Sequence, residues 1–118
     1  MSFRFEKLEV WHKSIAFADC VCLITRGFPD SERFGLVTQM RRAAVSISSN
    51  IAEGSGRGSD KDFARFLEIS YGSLMETISQ THIAKRQEFV KQEVFNEIHI
   101  LADELTRMLS GLRNSLQE

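Results

Sequence analysis

A chain of 118 residues has the length of one ordinary domain, and we expect residues 1–118 to fold as a single unit. It carries 15 basic and 16 acidic side chains, a formal net charge of −1, so it has no overall attraction to nucleic acid or anionic lipid. No apolar run approaches the roughly 20 residues of a membrane span, and the first residues lack the apolar stretch of a signal peptide. Two cysteines, Cys20 and Cys22, cannot build a disulfide framework. The sequence thus predicts a soluble cytoplasmic protein with no membrane partner.

Apolar residues recur every three or four positions in four segments, a spacing that is typical of amphipathic helices. The first predicted helix ends near Gly27, which together with Pro29 is a common helix stop. The second begins near Glu32 and ends at Gly54, where a loop rich in Gly and Ser begins. The first two helices are therefore expected to be joined by a short connection near residues 27–31.

The third predicted helix begins after Ser59, a suitable N-cap, with Asp60 and Asp62 in its first turn. It fades around residues 86–90, and a fourth helix then continues from Val94 to near the C-terminus. Further loops are expected near 54–59 and 86–91. Four helices of about 20 residues with short connections predict an all-α, antiparallel, up-down-up-down four-helix bundle.

The second predicted helix has three different faces when its residues are placed at 100° intervals. One face is apolar and comprises Leu36, Met40, Ala43, Ala44, Ile47 and Ile51. The next is a polar stripe of Gln39, Arg42, Ser46, Ser49, Asn50 and Glu53. The third face is mostly small and comprises Val37, Arg41, Val45, Ser48 and Ala52. Because a surface helix of a monomer needs one buried face, we expect the third face, with Val45 and Ala52, to contact another subunit.

The polar stripe predicts a hydrogen-bonded network, since polar groups inside a bundle must find partners. Its expected members are Gln39, Arg42, Ser46, Asn50 and Glu53, and the third helix adds Ser70, Thr77 and Thr81 along its apolar face. The network could join helices or subunits, and a ligand site is a further alternative. We favour the version that joins subunits.

Several motifs are shared with one known family. They include Glu32-Arg33-Phe34-Gly35-Leu36, Gln39-Met40-Arg41-Arg42-Ala43, Asn50-Ile51-Ala52-Glu53-Gly54 and Gly72-Ser73-Leu74-Met75-Glu76. Over nearly its whole length, the chain resembles the bacterial four-helix-bundle proteins encoded in intervening sequences of large-subunit ribosomal RNA genes. That family also includes the accessory variability determinant of diversity-generating retroelements.

The resemblance implies a homopentameric ring whose basic surface engages nucleic acid and a partner reverse transcriptase. Residues 33–65 hold six basic and three acidic side chains, whereas residues 88–118 hold three basic and six acidic ones. The basic surface is therefore expected in the middle of the chain. We predict weak RNA or DNA binding through Arg41, Arg57, Lys61 and Arg65.

No group of residues predicts catalysis. A di-iron site in a bundle needs two Glu-x-x-His motifs, and only Glu9-Val10-Trp11-His12 has that spacing. Cys20 and Cys22 lie on different sides of a helix and cannot share one metal. His99 and Asp103 could hydrogen-bond, but no nucleophile accompanies them. The Gly-rich loop lacks the Gly-Lys-Ser/Thr ending of a phosphate loop. We therefore predict no metal, no cofactor and no enzymatic activity.

Two functions fit the sequence. The first is an oligomeric, nucleic-acid-associated accessory protein. The second is a protein–protein scaffold with no nucleic-acid role, in which arginines form ion pairs between subunits. The balanced total charge favours the scaffold, as does the mixing of Asp60 and Asp62 with Lys61 and Arg65. Tyr71, which stands where the family often has a basic residue, also weakens the first hypothesis.

Overall fold

A computed structural model describes residues 2–117. It contains four α-helices: α1 (Glu9–Thr25), α2 (Leu36–Ser55), α3 (Asp60–Arg86) and α4 (Gln92–Leu116). Short 3-10 turns at Arg4–Lys7 and Asp30–Glu32 precede α1 and α2. Within residues 2–117 there is no strand, so the all-α prediction with four helices is confirmed. In this same part of the chain, none of the helices combines the length and the apolar character needed to cross a membrane.

Each helix packs against two others: α2 and α4 each contact both α1 and α3, and the α2–α3 contact is the most extensive. The fully buried side chains between them include Phe17, Val21, Met40, Ile47, Ile51, Phe63, Leu67, Leu74, Leu105 and Leu109. Each such side chain stabilises the fold by about 1.5–3 kcal/mol relative to an exposed position. The apolar face predicted for the second helix is confirmed, because its central residues lie in this core and only Leu36 is partly exposed.

The connections between helices meet at two separate ends of the molecule. At one end, here called the Phe28 end, the ring of Phe28 from the α1–α2 connection lies 5.5 Å from that of Phe89, which follows α3. At the other, the Phe63 end, Arg4 donates to the carbonyl of Ser55, and its guanidinium lies 4.9 Å from the centre of the Phe63 ring. The molecule is 43 Å along its longest axis, so the two ends are distinct surfaces.

The start of α2 differs from the sequence prediction. The predicted start near Glu32 is corrected to Leu36, because Gly35 has a ψ of −108°, outside the helical region. Asp30–Glu32 instead forms the 3-10 turn. The start of α3 is as predicted: the hydroxyl of Ser59 accepts the backbone N–H of Asp62 at 3.1 Å, a standard N-cap.

The end of α3 contains a residue in the left-handed region, Glu88, with a φ of 64°. The backbone N–H of Phe89 donates to the carbonyl of Ala84 at 2.9 Å, and the N–H of Glu88 donates to that of Lys85 at 3.0 Å. This pair of bonds is a Schellman motif, which usually has glycine where Glu88 stands. The helix therefore stops at Arg86 although the sequence offers neither glycine nor proline there.

Candidate nucleic-acid interface

The α2–α3 connection and the first turns of α3, at the Phe63 end, expose three of the four predicted nucleic-acid-binding residues. Arg57 donates from Nη2 to Oε1 of Glu53 at 3.3 Å, and both side chains are about half exposed. Its guanidinium lies 4.6 Å from the centre of the Phe66 ring, and that of Arg65 lies 6.0 Å from the same ring. The Phe66 ring therefore forms cation–π contacts with two guanidinium groups. Phe66 was not among the residues predicted from the sequence.

Lys61 and Arg65 project from the first two turns of α3. Both are exposed, and within residues 2–117 neither forms an ion pair. The carboxylates of Asp60 and Asp62 lie in the first turn of the same helix, where they complement its exposed N–H groups. The positive charges of Lys61 and Arg65 are thus available to a partner, whereas the carboxylates of Asp60 and Asp62 stabilise the start of the helix.

Gly54 allows the close approach of α2 and α3 beneath this surface. A Cβ at this buried position would lie 2.6 Å from the Cβ of Phe66 and 3.0 Å from Cδ1 of Phe63. Glycine is the one residue that leaves space for both rings. Gly54 therefore places Phe66 directly under the guanidinium of Arg57.

The fourth predicted residue, Arg41, lies elsewhere. Its Nε donates to the hydroxyl of Thr25 at 2.9 Å, and its Nη2 to the carbonyl of Cys22 at 3.4 Å. At 1.5 Å rise per residue, Arg41 is about 21 Å along α2 from Ser55. The single basic surface predicted from the sequence is thus corrected to two separate regions, one at each end of the bundle.

Two residues of the polar stripe of α2, Ser46 and Asn50, form a network inside one chain, whereas Glu53 is paired with Arg57. The hydroxyls of Ser46 and Ser73 lie 3.0 Å apart, and Nδ2 of Asn50 donates to both the hydroxyl and the carbonyl of Ser46. Gln39 and Arg42 are exposed and, within residues 2–117, their side chains take no part in this network. For Ser46 and Asn50 the favoured subunit version is corrected, because Ser46 bonds Ser73 of α3 and Asn50 bonds Ser46 within the same helix.

The polar side chains on the apolar face of α3 are also satisfied within the chain. Ser70 donates to the carbonyl of Ile47 in α2 at 2.9 Å, while Thr77 and Thr81 donate to carbonyls one turn earlier in α3. Tyr71 packs against the core. Ser70, Thr77 and Thr81 are buried, so they are not part of the exposed surface at the Phe63 end.

The small-residue face of α2 is only partly free for another subunit. Val37 and Ser48 are buried within the chain, and Arg41 is held by α1, so the prediction of a wholly free third face is wrong for these positions. Val45 remains 50% exposed and Ala52 is partly exposed. The surface that α2 offers to a partner is narrower than its sequence indicates.

The residues considered for catalysis and metal binding are not assembled into a site. Nε2 of His12 donates to the backbone carbonyl of Glu6 at 2.7 Å. Asp103 accepts from Arg107 at 2.8 Å, while the His99 ring lies 5.5 Å from that of Phe95. In the part of the chain that the structure describes, no three His, Cys, Asp or Glu side chains come close enough to hold a metal ion.

A family model described as the 23S rRNA-intervening sequence protein matches residues 6–111. A crystal structure at 1.70 Å of a protein of unknown function from the S23 ribosomal protein family of Bacteroides thetaiotaomicron is similar, with 26% sequence identity and a TM-score of 0.80. That similarity covers 89% of this chain and 95% of the other. No curated protein matches the chain. The family match and the similar structure agree with the resemblance carried by the motifs.

Proposed function

The chain belongs to the 23S rRNA-intervening sequence protein family, and we propose that it is a non-enzymatic, oligomeric accessory protein that binds RNA or DNA weakly. The observation that carries this proposal is the charge at the Phe63 end. Lys61 and Arg65 are exposed on neighbouring turns of one helix, and within residues 2–117 no carboxylate pairs with them. Arg57 adds a third cation beside them. Such a group contacts phosphates without reading bases.

Assembly into an oligomer raises the affinity of this surface for nucleic acid. Phosphate affinity depends on how many contacts act together, and a ring presents the same cations once per subunit. We therefore propose that the chain, with its helices in up-down-up-down order, forms a homopentamer in the cytoplasm. A reverse transcriptase that uses the bound nucleic acid is the protein partner that the resemblance implies.

The outer surface of α2 is the proposed subunit contact. Between Thr38 and Ala52 its exposed side chains include Val45 and Ser49, and Arg42 is the one charged residue among the exposed positions. A surface with few charges and small side chains allows close packing, and charged residues are depleted at the centres of interfaces. Two observations therefore support oligomerisation: the composition of the outer surface of α2 and the resemblance to the family.

Light scattering tests the assembly. At micromolar concentration we expect about five times the chain mass of 13.5 kDa. Val45→Glu and Ala52→Glu should reduce the measured mass, because a charge buried without a partner is costly. Ile100→Glu, at an exposed apolar position on α4, is the matched control and should leave it unchanged. A single-chain mass for the unaltered protein contradicts the oligomer.

An anisotropy titration with structured RNA and with DNA at two salt concentrations tests the nucleic-acid proposal. The double variant, with Arg57→Ala and Lys61→Ala in the same chain, should bind nucleic acid with lower affinity. Its salt slope should fall by about two, one for each lost phosphate contact. Arg107→Ala is the control, because Arg107 is an exposed cation on α4 that, like Arg57, is paired with a carboxylate four residues earlier. Thermal melts of all variants check that the bundle remains folded.

One feature of the structure favours the alternative function, a protein–protein scaffold with no nucleic-acid role. Arg42 is exposed on the same outer surface as Val45, and within residues 2–117 it has no acidic partner. A carboxylate of a second subunit would satisfy it. If the oligomer is intact and no RNA or DNA binds at about 50 mM salt, where phosphate contacts are strong, the scaffold is the correct function.

A further inference from the structure

A second basic site lies at the Phe28 end, away from the proposed interface. A pocket of about 210 Å³ opens where the chain turns from α1 into α2. Three arginines line it, Arg26, Arg33 and Arg41, together with one carboxylate, that of Asp30. We call it the Arg41 pocket. Its ionisable side chains have a formal charge of +2.

Arg41 is held in a fixed orientation at the wall of the pocket. Its Nε and Nη2 donate to Thr25 and Cys22, and the hydroxyl of Thr25 is itself fixed by a 2.8 Å bond to the carbonyl of Val21. A guanidinium has five N–H donors, so these two bonds leave three for a ligand. A donor held in place before binding loses less conformational entropy when a ligand arrives.

Arg26 and Arg33 supply the exposed part of the site. Both are exposed, and within residues 2–117 neither forms an ion pair, even though Asp30 lines the same pocket. The planar fork of a guanidinium matches the oxygens of a phosphate group. Three such groups around one pocket therefore suit an oxyanion.

An exposed aromatic ring stands directly beside this pocket. Phe34 is 88% exposed, the highest value among the large apolar side chains of the described residues. The guanidinium of Arg33 lies 5.3 Å from the centre of its ring. Such a ring next to unpaired cations is the arrangement by which proteins hold single-stranded nucleic acid, with bases on the ring and phosphates on the cations.

We propose that the Arg41 pocket binds a phosphate of an unpaired nucleic-acid strand while Phe34 stacks on an adjacent base. The inference rests on the proposed nucleic-acid function and deepens it, because it names the substrate as single-stranded and adds a site that the Phe63 end does not contain. The exposed ring of Phe34 favours nucleic acid over an acidic peptide as the ligand of this pocket. A peptide could pair with the three arginines but would have no base to stack on the ring.

The test is an anisotropy titration of the full chain with a labelled 12-nucleotide single-stranded RNA and with the same sequence as a duplex. Phe34→Ala should weaken single-strand binding about five-fold or more, the effect of losing one stacked base, and should leave duplex binding unchanged. Arg33→Ala should weaken single-strand binding and lower the salt slope by about one. Arg107→Ala, on α4, should change neither.

Lys61→Ala, at the Phe63 end, separates this inference from the proposed function. If the unaltered protein binds RNA, and Lys61→Ala weakens it while Arg33→Ala and Phe34→Ala do not, the pocket inference is overturned and the proposed function remains. If no nucleic acid binds, both the pocket inference and the proposed function fail.

If Arg33→Ala alone weakens binding and polyglutamate competes as well as RNA, the pocket is a carboxylate site. If Phe34→Ala reduces the oligomer mass in light scattering, its ring belongs to a subunit contact and the stacking role is overturned.

Discussion

The Nε–H of Arg41 donates a hydrogen bond across 2.9 Å to the hydroxyl of Thr25, the last residue of α1. The same guanidinium reaches the carbonyl of Cys22 in the final turn of that helix. The last carbonyls of a helix have no partners within it and carry partial negative charge. Arg41 therefore joins α2 to α1 and neutralises the end of α1, whatever else binds in its pocket.

Replacing either partner of this bond should destabilise the fold. Thr25→Val keeps the shape of a buried side chain but leaves the Arg41 Nε without its acceptor, which should cost about 1–3 kcal/mol of unfolding free energy. Arg41→Ala should cost a similar amount, and the double variant should cost less than the sum. Urea denaturation measures all three. Thr106→Val, where the hydroxyl bonds only the local carbonyl of Asp103, is the control and should change stability by less than about 0.5 kcal/mol.

Gly54→Ala should destabilise the chain although alanine is the better helix former. The new Cβ would meet Phe66 at 2.6 Å, and overpacking of this kind costs about 1–3 kcal/mol. Gly72→Ala is the matched control, because Gly72 lies within α3 and a Cβ there would have nothing within 4 Å. That variant should gain up to about 1 kcal/mol from helix propensity. Equal thermal shifts for the two variants would show that α2 and α3 are not in close contact at Gly54.

Glu88→Gly should stabilise the protein. Glu88 has a φ of 64° at the end of α3, a conformation that costs an ordinary residue about 1–2 kcal/mol and glycine almost nothing. We expect a rise in melting temperature that corresponds to about 1 kcal/mol. Glu88→Ala removes the same charge but keeps the strain, so it should not produce this rise. A matching rise in the alanine variant would assign the effect to charge instead.

Cys20 should react slowly with alkylating reagents. Burial, with a further contribution from the carboxylate of Glu97, raises the pKa of the Cys20 thiol above its ordinary value of 9.0, and the thiolate is the reactive form. In a Cys22→Ser background, the midpoint of the rate–pH curve with iodoacetamide should therefore lie above that of an exposed cysteine thiol. Glu97→Gln removes a negative charge that opposes ionisation, so it should move the midpoint down. Glu93→Gln should not, since burial and Glu97 are what raise this pKa.

The sequence by itself determined the four helices, the apolar face of α2 and the N-cap at Ser59. These features are local: a helix places residues three and four apart on one side, and a cap involves neighbours within one turn. The shared motifs also led to the family, because they occur as contiguous stretches that need no tertiary structure to be compared.

Tertiary structure alone decided how the polar and basic residues are grouped. Arg41 and Arg57 belong to one basic stretch of sequence, yet the length of α2 puts them at opposite ends of the bundle. Periodicity indicates which residues share a face, but the neighbour that covers the face comes from another helix. Ser46 therefore meets Ser73 of α3, Val37 is buried within the chain, and Phe34 remains in solvent beside an arginine-lined pocket.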